Sequence, residues 1–254
     1  MTRMVEPRSR GSALRIAVLS DIHGNLAAFE AVLAHLKHTS PDLVLHGGDL
    51  ADPGSSPIDI VDRIRQLGWQ GVMGNSDEML FRPDSLEDFA SQSSAPAALW
   101  TAIREIASAT RSVLGEERLA WLRDQPLVST QEGFALVHAT PESCWRAPAD
   151  EASDAELTTI YGPLDRPTVV YGHTHRPFIR HIAGHPRLLV NTGSVGLPYD
   201  GDPRASYLLF EGNSPSIQRV EYDLEKEFHA LSSCGLPGAA WTAKMLRTSA
   251  PQMP

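Results

Sequence analysis

The stretch IAVLSDIHGN, residues 16–25, decides the fold class of this chain. Its first half is a short apolar run, so Ile16 to Ser20 is predicted to form a buried strand. Its second half places Asp21 and His23 in the turn that follows the strand. Apolar residues then recur at helical spacing from Leu26 to Leu36. A strand, a polar turn and a helix in this order predict an α/β protein.

The same pattern recurs farther along the chain. A second strand is predicted from Leu43 to Gly47, and a third around Val72, with an apolar helical pattern between them. Each strand ends in a polar turn that contains glycine. Ligands of α/β proteins bind beyond the carboxyl ends of the strands, so the functional residues are expected in these turns.

The second half of the chain is richer in strands than in helices. Gly and Pro turns separate its short apolar runs, which indicates a second sheet packed on the first. The predicted strands are Phe134–His138, Thr168–Tyr171, Leu188–Val190, Ser206–Phe210 and Ile217–Tyr222. A last short helix is expected near Leu224 to Leu231.

These patterns divide the chain into segments. Residues 14–235 are predicted to form one catalytic domain, preceded by a flexible tail, 1–13, and followed by a loose tail, 236–254. Within the domain, residues 79–126 have a helical pattern and are interpreted as an insertion. Because the insertion follows the third strand's turn, we expect it to cap the active site and limit substrate size. An equally weighted alternative is that it only covers the sheet.

Seven side chains that can bind metal stand at the ends of predicted strands. They are Asp21, His23, Asp49, Asn75, His138, His173 and His175. Each one alone is a weak signal, because short motifs arise often by chance. If the strands share one sheet edge, however, all seven converge. Neighbouring glycines such as Gly74 and Gly172 would let the backbone turn sharply and approach a ligand closely.

The same residues lie in blocks that resemble the calcineurin-like metallophosphoesterases. The blocks are SDIHGN (20–25), GGD (47–49), GNSD (74–77), VHAT (137–140) and GHTH (172–175). The stretch 191–207 is also similar to the corresponding part of small bacterial members. The resemblance implies an α/β fold, a four-layer α-β-β-α sandwich of two packed mixed sheets flanked by helices, here with a helical insertion.

The resemblance also implies two divalent metal ions. It gives one ion to Asp21, His23 and His175 and the other to Asn75, His138 and His173, with Asp49 as the bridge between them. Asp49, Asn75 and His138 are thereby also predicted as catalytic residues. Nitrogen and oxygen ligands without thiolate suit Mn, Fe, Co, Ni or Zn. The implied reaction is hydrolysis of a phosphodiester, or of a nucleotide-like ester or anhydride, by metal-activated water.

Four further residues raise alternatives. Ser76 is a candidate substrate contact; it stands where many relatives have a histidine that serves the leaving group, and serine is no useful acid at neutral pH. His46 is a candidate replacement, although packing between layers is the more favoured interpretation. Arg204 is a candidate phosphate contact, with an ion pair to Asp200 or Asp202 as the alternative. Thr140 is a candidate substrate contact or a turn-forming residue.

Composition excludes some classes of function. The net charge of −9 disfavours a broad nucleic-acid surface or an anionic membrane as the partner. No run approaches the roughly 20 apolar residues of a membrane helix. We therefore expect a cytoplasmic enzyme that acts on a small phosphorylated substrate such as a nucleotide. A phosphomonoesterase or protein phosphatase, and a non-catalytic scaffold of the same fold, are the alternatives. The sequence does not specify the oligomeric state.

Overall fold

The computed structural model describes residues 14–254 of the chain, so the predicted tail 1–13 lies outside the described residues. The first half contains β1 Arg15–Leu19, α1 Leu26–Thr39, β2 Leu43–His46, α2 Pro57–Leu67, β3 Gln70–Gly71, α3 Asn75–Phe81, α4 Pro83–Ser91 and α5 Ala97–Arg123. The second half contains β4 Val128–Thr130, β5 Phe134–Val137, α6 Asp154–Tyr161, a 3₁₀ turn Gly162–Leu164, β6 Thr168–Tyr171, β7 Phe178–His181, β8 Leu188–Asn191, β9 Ala205–Glu211, β10 Ser214–Val220, α7 Leu224–Ser233 and α8 Ala239–Thr248.

The strands form two five-stranded mixed sheets. The first has the order β10-β9-β1-β2-β3, in which β1, β2 and β3 are parallel and β9 runs antiparallel to β1. The second has the order β4-β5-β6-β8-β7, in which β5, β6 and β8 are parallel. The short strands β4 and β7, which the sequence patterns did not predict, form the edges of the second sheet. The predicted α/β fold is confirmed.

Alternation of side chains along the strands builds the layers. In β1, Ile16 and Val18 contact residues of the second sheet, whereas Ala17 and Leu19 belong to the core beneath the helices. In the second sheet, Leu136 points toward the first sheet and Val137 toward the core that contains residues of α6. The order of layers is therefore helices, sheet, sheet, helix, as the four-layer prediction requires.

The helical insertion is part of the fold's core as well as a cover. Helical structure begins at Asn75, four residues before the predicted start. Leu114, Leu119 and Leu122 of α5 are buried in the same apolar cluster as residues of β1 and α1. At Gly115 the backbone leaves the helical conformation (φ 72°, ψ 165°). Helix α5 therefore packs on the core, and its first half approaches the functional residues described below.

The prediction of a loose tail over 236–254 is wrong. Residues 239–248 form α8, whose Ala243, Met245 and Leu246 are buried against Leu197 and Leu231. The apolar residues of this helix have few partners nearby in sequence, so the pattern did not distinguish it from a tail. Its stability comes from packing on distant elements.

No helix among residues 14–254 is both long enough and apolar enough to cross a lipid bilayer.

Candidate functional site

The seven predicted ligands converge at the edge where the parallel strands of both sheets end. Asp21 and His23 follow β1, Asp49 follows β2, and Asn75 is the first residue of α3. His138 follows β5, and His173 and His175 follow β6. Residues 100 or more positions apart in sequence are thereby brought into contact, as expected for polar turns at one sheet edge.

The backbone of this region is unusual. Asp21, His23, Asp49, His173 and His175 all have positive φ, between 49° and 64°. A left-handed conformation costs a residue with a side chain roughly 1–2 kcal/mol, although Asp, Asn and His tolerate it better than most residues. Such strain persists only where the surrounding structure holds it, and it is concentrated at functional sites.

Two glycines allow the carboxylates to approach the backbone. A Cβ atom at Gly74 would lie 2.0 Å from Asp49 Oδ1, and one at Gly172 would lie 2.3 Å from Asp21 Oδ2. Any side chain at either position would displace a carboxylate of the site. The prediction that glycines permit close approach is therefore confirmed at these two positions.

The first cluster contains Asp21, His23, Asp49 and His175. Their donor atoms all lie within 4.8 Å of one another, and all four residues are buried. His175 Nε2 is 3.0 Å from His23 Nε2 and 3.1 Å from Asp21 Oδ1. His23 Nε2 is 3.7 Å from Asp49 Oδ2. These are the separations of ligands that share one metal ion at about 2.0–2.2 Å.

The second cluster contains Asn75, His138 and His173. Asn75 Oδ1 lies 2.8 Å from His173 Nδ1 and 3.1 Å from His138 Nε2. The two imidazole nitrogens are 3.3 Å apart. Asp49 Oδ1 is 3.5 Å from His138 Nε2, so the two oxygens of Asp49 face different clusters.

Hydrogen bonds to backbone carbonyls fix the histidine tautomers. The Nδ1 atoms of His23, His138 and His175 donate to the carbonyl oxygens of Asp52, Gly47 and Leu197, respectively. A carbonyl oxygen can only accept, so each of these Nδ1 atoms carries the proton in the neutral ring. The Nε2 lone pairs then point into the clusters, as they do in histidines that bind metal. The Nε2 lone pairs and the carboxylate oxygens all converge on the same space, and such a set of electron donors is suited to bind a cation.

Burial and neighbouring groups lower the pKa values of three residues in the clusters. Burial, with the neighbouring His138, lowers the pKa of His173 to about 4. Burial, with the neighbouring His175, also lowers the pKa of His23. Burial alone would raise the pKa of Asp21, but the surrounding imidazoles, His175 above all, outweigh it and hold that pKa below its usual value. The carboxylate Asp21 is therefore ready to bind a cation at neutral pH.

His138 differs from the other histidines of the clusters. Burial disfavours its charged form, but Asp49 and Asp21 outweigh burial and raise the pKa of His138 above the usual value. A metal ion in the second cluster would compete with a proton for His138.

Two aspartates that the ligand patterns did not single out support the site. The Asp77 carboxylate accepts hydrogen bonds from the amides of Asp49 (2.8 Å), Leu50 (2.9 Å) and Gly74 (3.2 Å). It thereby ties the turn after β2 to the start of α3. Burial, with the nearby charge of Asp49, raises the pKa of Asp77 to about 7. Asp77 belongs to the block GNSD, so its position offered a signal, but its role depends on contacts that are distant in sequence.

Asp52 is the second of these aspartates. Its side chain accepts a hydrogen bond from Thr110 Oγ1 at 3.0 Å, which links the site to the insertion. Burial raises the pKa of Asp52 to about 7, and the bond from Thr110 opposes that shift only in part. Through its carbonyl oxygen, Asp52 also orients His23.

The sequence left two interpretations open for each of several further residues, and the structure shows the surroundings of three of them here. Ser76 lies at the site, where its amide and Oγ donate to Asp49 at 2.8 and 2.9 Å. Thr140 forms a turn, with its amide and Oγ1 both bonded to the Ser143 carbonyl oxygen. The guanidinium of Arg204 is paired with Asp202. Neither Thr140 nor Arg204 lines the cavity beside the clusters. These local bonds agree with the alternative interpretations, a turn-forming residue at Thr140 and an ion pair at Arg204.

His46 also lies away from the clusters. It is completely buried, packs beside the Trp121 ring at a centroid distance of 5.9 Å, and does not line the cavity. Burial lowers its pKa to about 4. The structure therefore favours the packing interpretation of His46 over the role of general acid.

A cavity of about 300 Å³ opens directly onto both clusters. His23, Asp49, Asn75, His173 and His175 form its floor, together with Ser76 and Asp52. Its walls come from the insertion, from the loop after β5 and from the C-terminal part of the chain, and they are largely apolar and aromatic. The insertion therefore does border the site, as its position in the sequence predicted.

Comparison with known proteins identifies relatives over most of the chain. The family model of the calcineurin-like phosphoesterase superfamily domain matches residues 14–214, a region that includes all seven clustered residues and ends before α7. An uncharacterized protein of Methanocaldococcus jannaschii is 32% identical over an alignment of 243 positions, and the match covers 87% of this chain and 93% of that protein.

Two further relatives carry functional descriptions. The symmetrical bis(5′-nucleosyl)-tetraphosphatase of Methylococcus capsulatus is 27% identical over 156 residues, which cover 60% of this chain and 52% of that enzyme. The crystal structure of a metallophosphoesterase from Sphaerobacter thermophilus has a TM-score of 0.75 and 26% identity, and the match covers 93% of this chain and 99% of that one. The fold, the clusters and the sequence blocks thus agree.

Proposed function

The chain belongs to the calcineurin-like phosphoesterase superfamily and is a phosphoester hydrolase, and we propose that it uses two divalent metal ions to cleave a phosphodiester or a nucleotide-like phosphate ester or anhydride. The observation that carries this proposal is the position of Asp49. Its Oδ2 faces the nitrogen of His23 and its Oδ1 faces that of His138, so one carboxylate adjoins both clusters.

In this proposal, Asp21, His23 and His175 hold one ion, Asn75, His138 and His173 hold the other, and Asp49 bridges them. The imidazole, carboxylate and amide donors fit Mn, Fe, Co, Ni or Zn and do not select among them. Ions bound there would supply an activated water near neutral pH and positive charge for the phosphoryl oxygens.

The chain's own residues hold this arrangement ready. Ser76 donates to both oxygens of Asp49, and Asp77 fixes the backbone from which Asp49 projects. The carbonyl oxygens that accept from the histidines keep the rings oriented with Nε2 toward the clusters. Because these groups are already in place, little reorganisation would accompany catalysis. The apolar walls of the cavity would exclude water from around the substrate.

Support for a nucleotide-like substrate comes from the similarity to a bis(5′-nucleosyl)-tetraphosphatase. Because that match covers 52% of the enzyme, it supports the class of substrate and not its identity. The scaffold alternative predicts disrupted ligand blocks, whereas all seven side chains are present and converge.

The proposal predicts unequal effects of removing ligands. Asp49→Ala should lose both ions and reduce hydrolysis of bis(p-nitrophenyl) phosphate at least roughly 10²-fold, because its carboxylate adjoins both clusters. Asn75→Ala removes one donor from one cluster and should keep about one of the two ions, with a smaller loss of rate. Metal content per chain and kcat/KM are measured together, and Asp59→Ala, an exposed carboxylate on α2, is the matched control.

Removal of the bound metal with a chelator is the second part of this experiment. The wild-type protein should lose activity when its metal is removed and regain it when Mn or a similar ion is added. Full activity of metal-free protein would contradict the proposed mechanism. Equal, mild effects of Asp49→Ala and Asn75→Ala would contradict the assignment of Asp49 as the bridge.

A further inference from the structure

We propose that the cavity beside the clusters binds a flat aromatic substituent of the substrate, an aryl group or a nucleobase, on an ester with a single phosphoryl group, and that α8 forms one wall of this specificity site. The inference rests on the proposed function, because it assumes that the phosphoryl group is bound at the two clusters. It specifies which part of a phosphoester the rest of the cavity accepts.

The first wall comes from the insertion and the loop after β5. Phe89 of α4 lies edge to face with Trp100 at 5.8 Å between ring centroids, and at 5.1 Å from Trp145. Trp145 is held in place because its Nε1 donates to Glu78. These three rings all line the cavity, and aromatic faces in such a wall favour flat, apolar partners.

The second wall comes from α8, which contributes Trp241 and Met245 to the cavity. Trp241 Nε1 donates to the Gln252 carbonyl oxygen at 2.8 Å, which holds the indole in place. Thr242 Oγ1 donates to the carbonyl oxygen of Pro53, a residue that itself lines the cavity. The wall is therefore fixed to the loop that follows Asp49.

The two walls also meet. A Cβ atom at Gly238, the residue before α8, would lie 2.3 Å from Ile106 Cδ1 of α5, so the backbone there is in close contact with the insertion. Gly238 has a φ of 78°, a conformation that glycine adopts without strain. The family model ends at residue 214, so the α8 wall lies outside the region that this chain shares with the family domain. This wall is therefore where the specificity of this chain is expected to differ.

The charge of the cavity argues against a polyphosphate chain. Among residues 14–254, no Lys or Arg lines the cavity, while Asp49 and Asp52 do. The guanidinium of Arg146 lies over the Phe89 ring at 5.0 Å but donates to Gln92 and is not part of the lining. Ions at the two clusters would neutralise one phosphoryl group, whereas further phosphates would be buried against apolar walls without partners. A volume of about 300 Å³ is also at the lower end for ligand sites.

The test compares esters that share one leaving group. Phenyl, methyl and thymidine-5′ phosphorofluoridates all release fluoride, a leaving group without a ring, so differences in KM report on the retained group. We expect KM for the phenyl and thymidine esters to be roughly tenfold or more below that for the methyl ester, since stacking of one ring contributes on this scale. The phenyl and thymidine arms distinguish an aryl group from a nucleobase. Diadenosine tetraphosphate should have a lower kcat/KM than either.

Variants of residues in the two walls test whether these walls cause the difference in KM between the phenyl and methyl esters. Trp241→Ala on α8 and Trp100→Ala on α5 should each reduce the ratio of the methyl to the phenyl KM at least several-fold. Trp69→Ala is the matched control, because Trp69 packs against Phe29 away from the cavity and should leave that ratio unchanged. Thermal melting of each variant verifies folding, and either wall variant suffices if the other does not fold.

A binding measurement separates this inference from the proposed function. Phenylphosphonate should bind the metal-loaded wild-type protein roughly tenfold or more tightly than methylphosphonate by calorimetry. Equal affinities, or equal KM values for the three esters, would overturn the inference and leave the proposed function standing. A protein that binds phenylphosphonate preferentially but hydrolyses none of the esters would instead overturn the proposed function.

Discussion

The backbone at the clustered side chains is strained in one particular way. Five of the seven residues have a left-handed conformation, which turns the chain sharply beyond the ends of the strands. Each such residue opposes folding by roughly 1–2 kcal/mol relative to an ordinary conformation. The two packed sheets provide the stability that maintains it.

Because of this strain, we expect glycine at position 173 to give a more stable protein than alanine, the reverse of the usual order. Alanine at φ 64° is strained and glycine is not, so His173→Gly should be about 1 kcal/mol more stable than His173→Ala. Urea unfolding in the presence of a chelator measures both variants without a contribution from metal. The exposed strand residue His181 is the control, where glycine should be the less stable of the two. If the Gly variant were less stable than the Ala variant at both positions, the left-handed φ of His173 would not control the stability of its variants.

Ser76 is the second residue with a specific consequence. Both its amide and its Oγ donate to Asp49, so it positions a carboxylate and has no acidic proton suited to a leaving group. Without a general acid, the leaving oxygen must depart largely unaided, and this matters most for poor leaving groups.

The rate of hydrolysis should therefore depend strongly on the pKa of the leaving group. Across a series of aryl phosphates, kcat/KM should fall strongly as the pKa of the leaving phenol rises. Ser76→His should flatten that dependence and gain up to roughly tenfold on the poorest leaving groups. Ser91→His, an exposed position on α4, controls for adding an imidazole elsewhere. A flat dependence in the wild-type protein would show that another group already protonates the leaving oxygen.

At the scale of the elements, α5 has two roles because it is interrupted. The non-helical Gly115 separates a first part, which brings Trp100 and Ile103 to the cavity, from a second part with Leu119 and Leu122 in the core. One continuous straight helix would not be free to orient its two halves independently. The insertion is therefore held rigidly by the core while its other end shapes the site.

Helix α7 contains a buried carboxylate. Glu227 lies next to Ser55, the Ala27 amide and Lys226, and burial raises its pKa from 4.5 to about 7. Between these two pH values the unfolded chain releases the proton while the folded protein keeps it. The contribution of Glu227 to the free energy of unfolding should therefore decrease as pH rises from about 4.5 to 7 and then level off.

Replacing Glu227 should remove its contribution to the pH dependence of stability. Glu227→Gln is expected to stabilise the protein at pH 8 relative to its effect at pH 4.5, by on the order of 3 kcal/mol. Thermal or urea unfolding at both pH values measures the difference, with the exposed Glu225→Gln on the same helix as the control. An effect of Glu227→Gln that is the same at both pH values would contradict the raised pKa.

At the scale of the whole molecule, each of the two clusters of predicted metal ligands combines side chains that follow strands of both sheets. The first joins Asp21, His23 and Asp49, which follow strands of one sheet, with His175 from the other. The second joins Asn75 with His138 and His173. The site therefore exists only when the two sheets are packed in register, and the insertion and α8 then enclose the space above it.

The sequence by itself determined the parts that depend on local chemistry. The strand at 16–20, the polar turns with glycine and the seven side chains at strand ends followed from alternation, spacing and residue type, and their blocks identified the family. These features are encoded within a few residues of one another. Parallel strands bring their ends to one edge, so the convergence of the side chains was also predictable.

Only the tertiary structure decided what depends on contacts between distant residues. It paired Arg204 with Asp202, buried His46 beside Trp121, and turned the expected C-terminal tail into a helix that borders the site. It also gave Asp77 and Asp52 their supporting roles. Each outcome depends on which surfaces become buried together, and burial is decided by the packing of the whole chain and not by the pattern of any one segment.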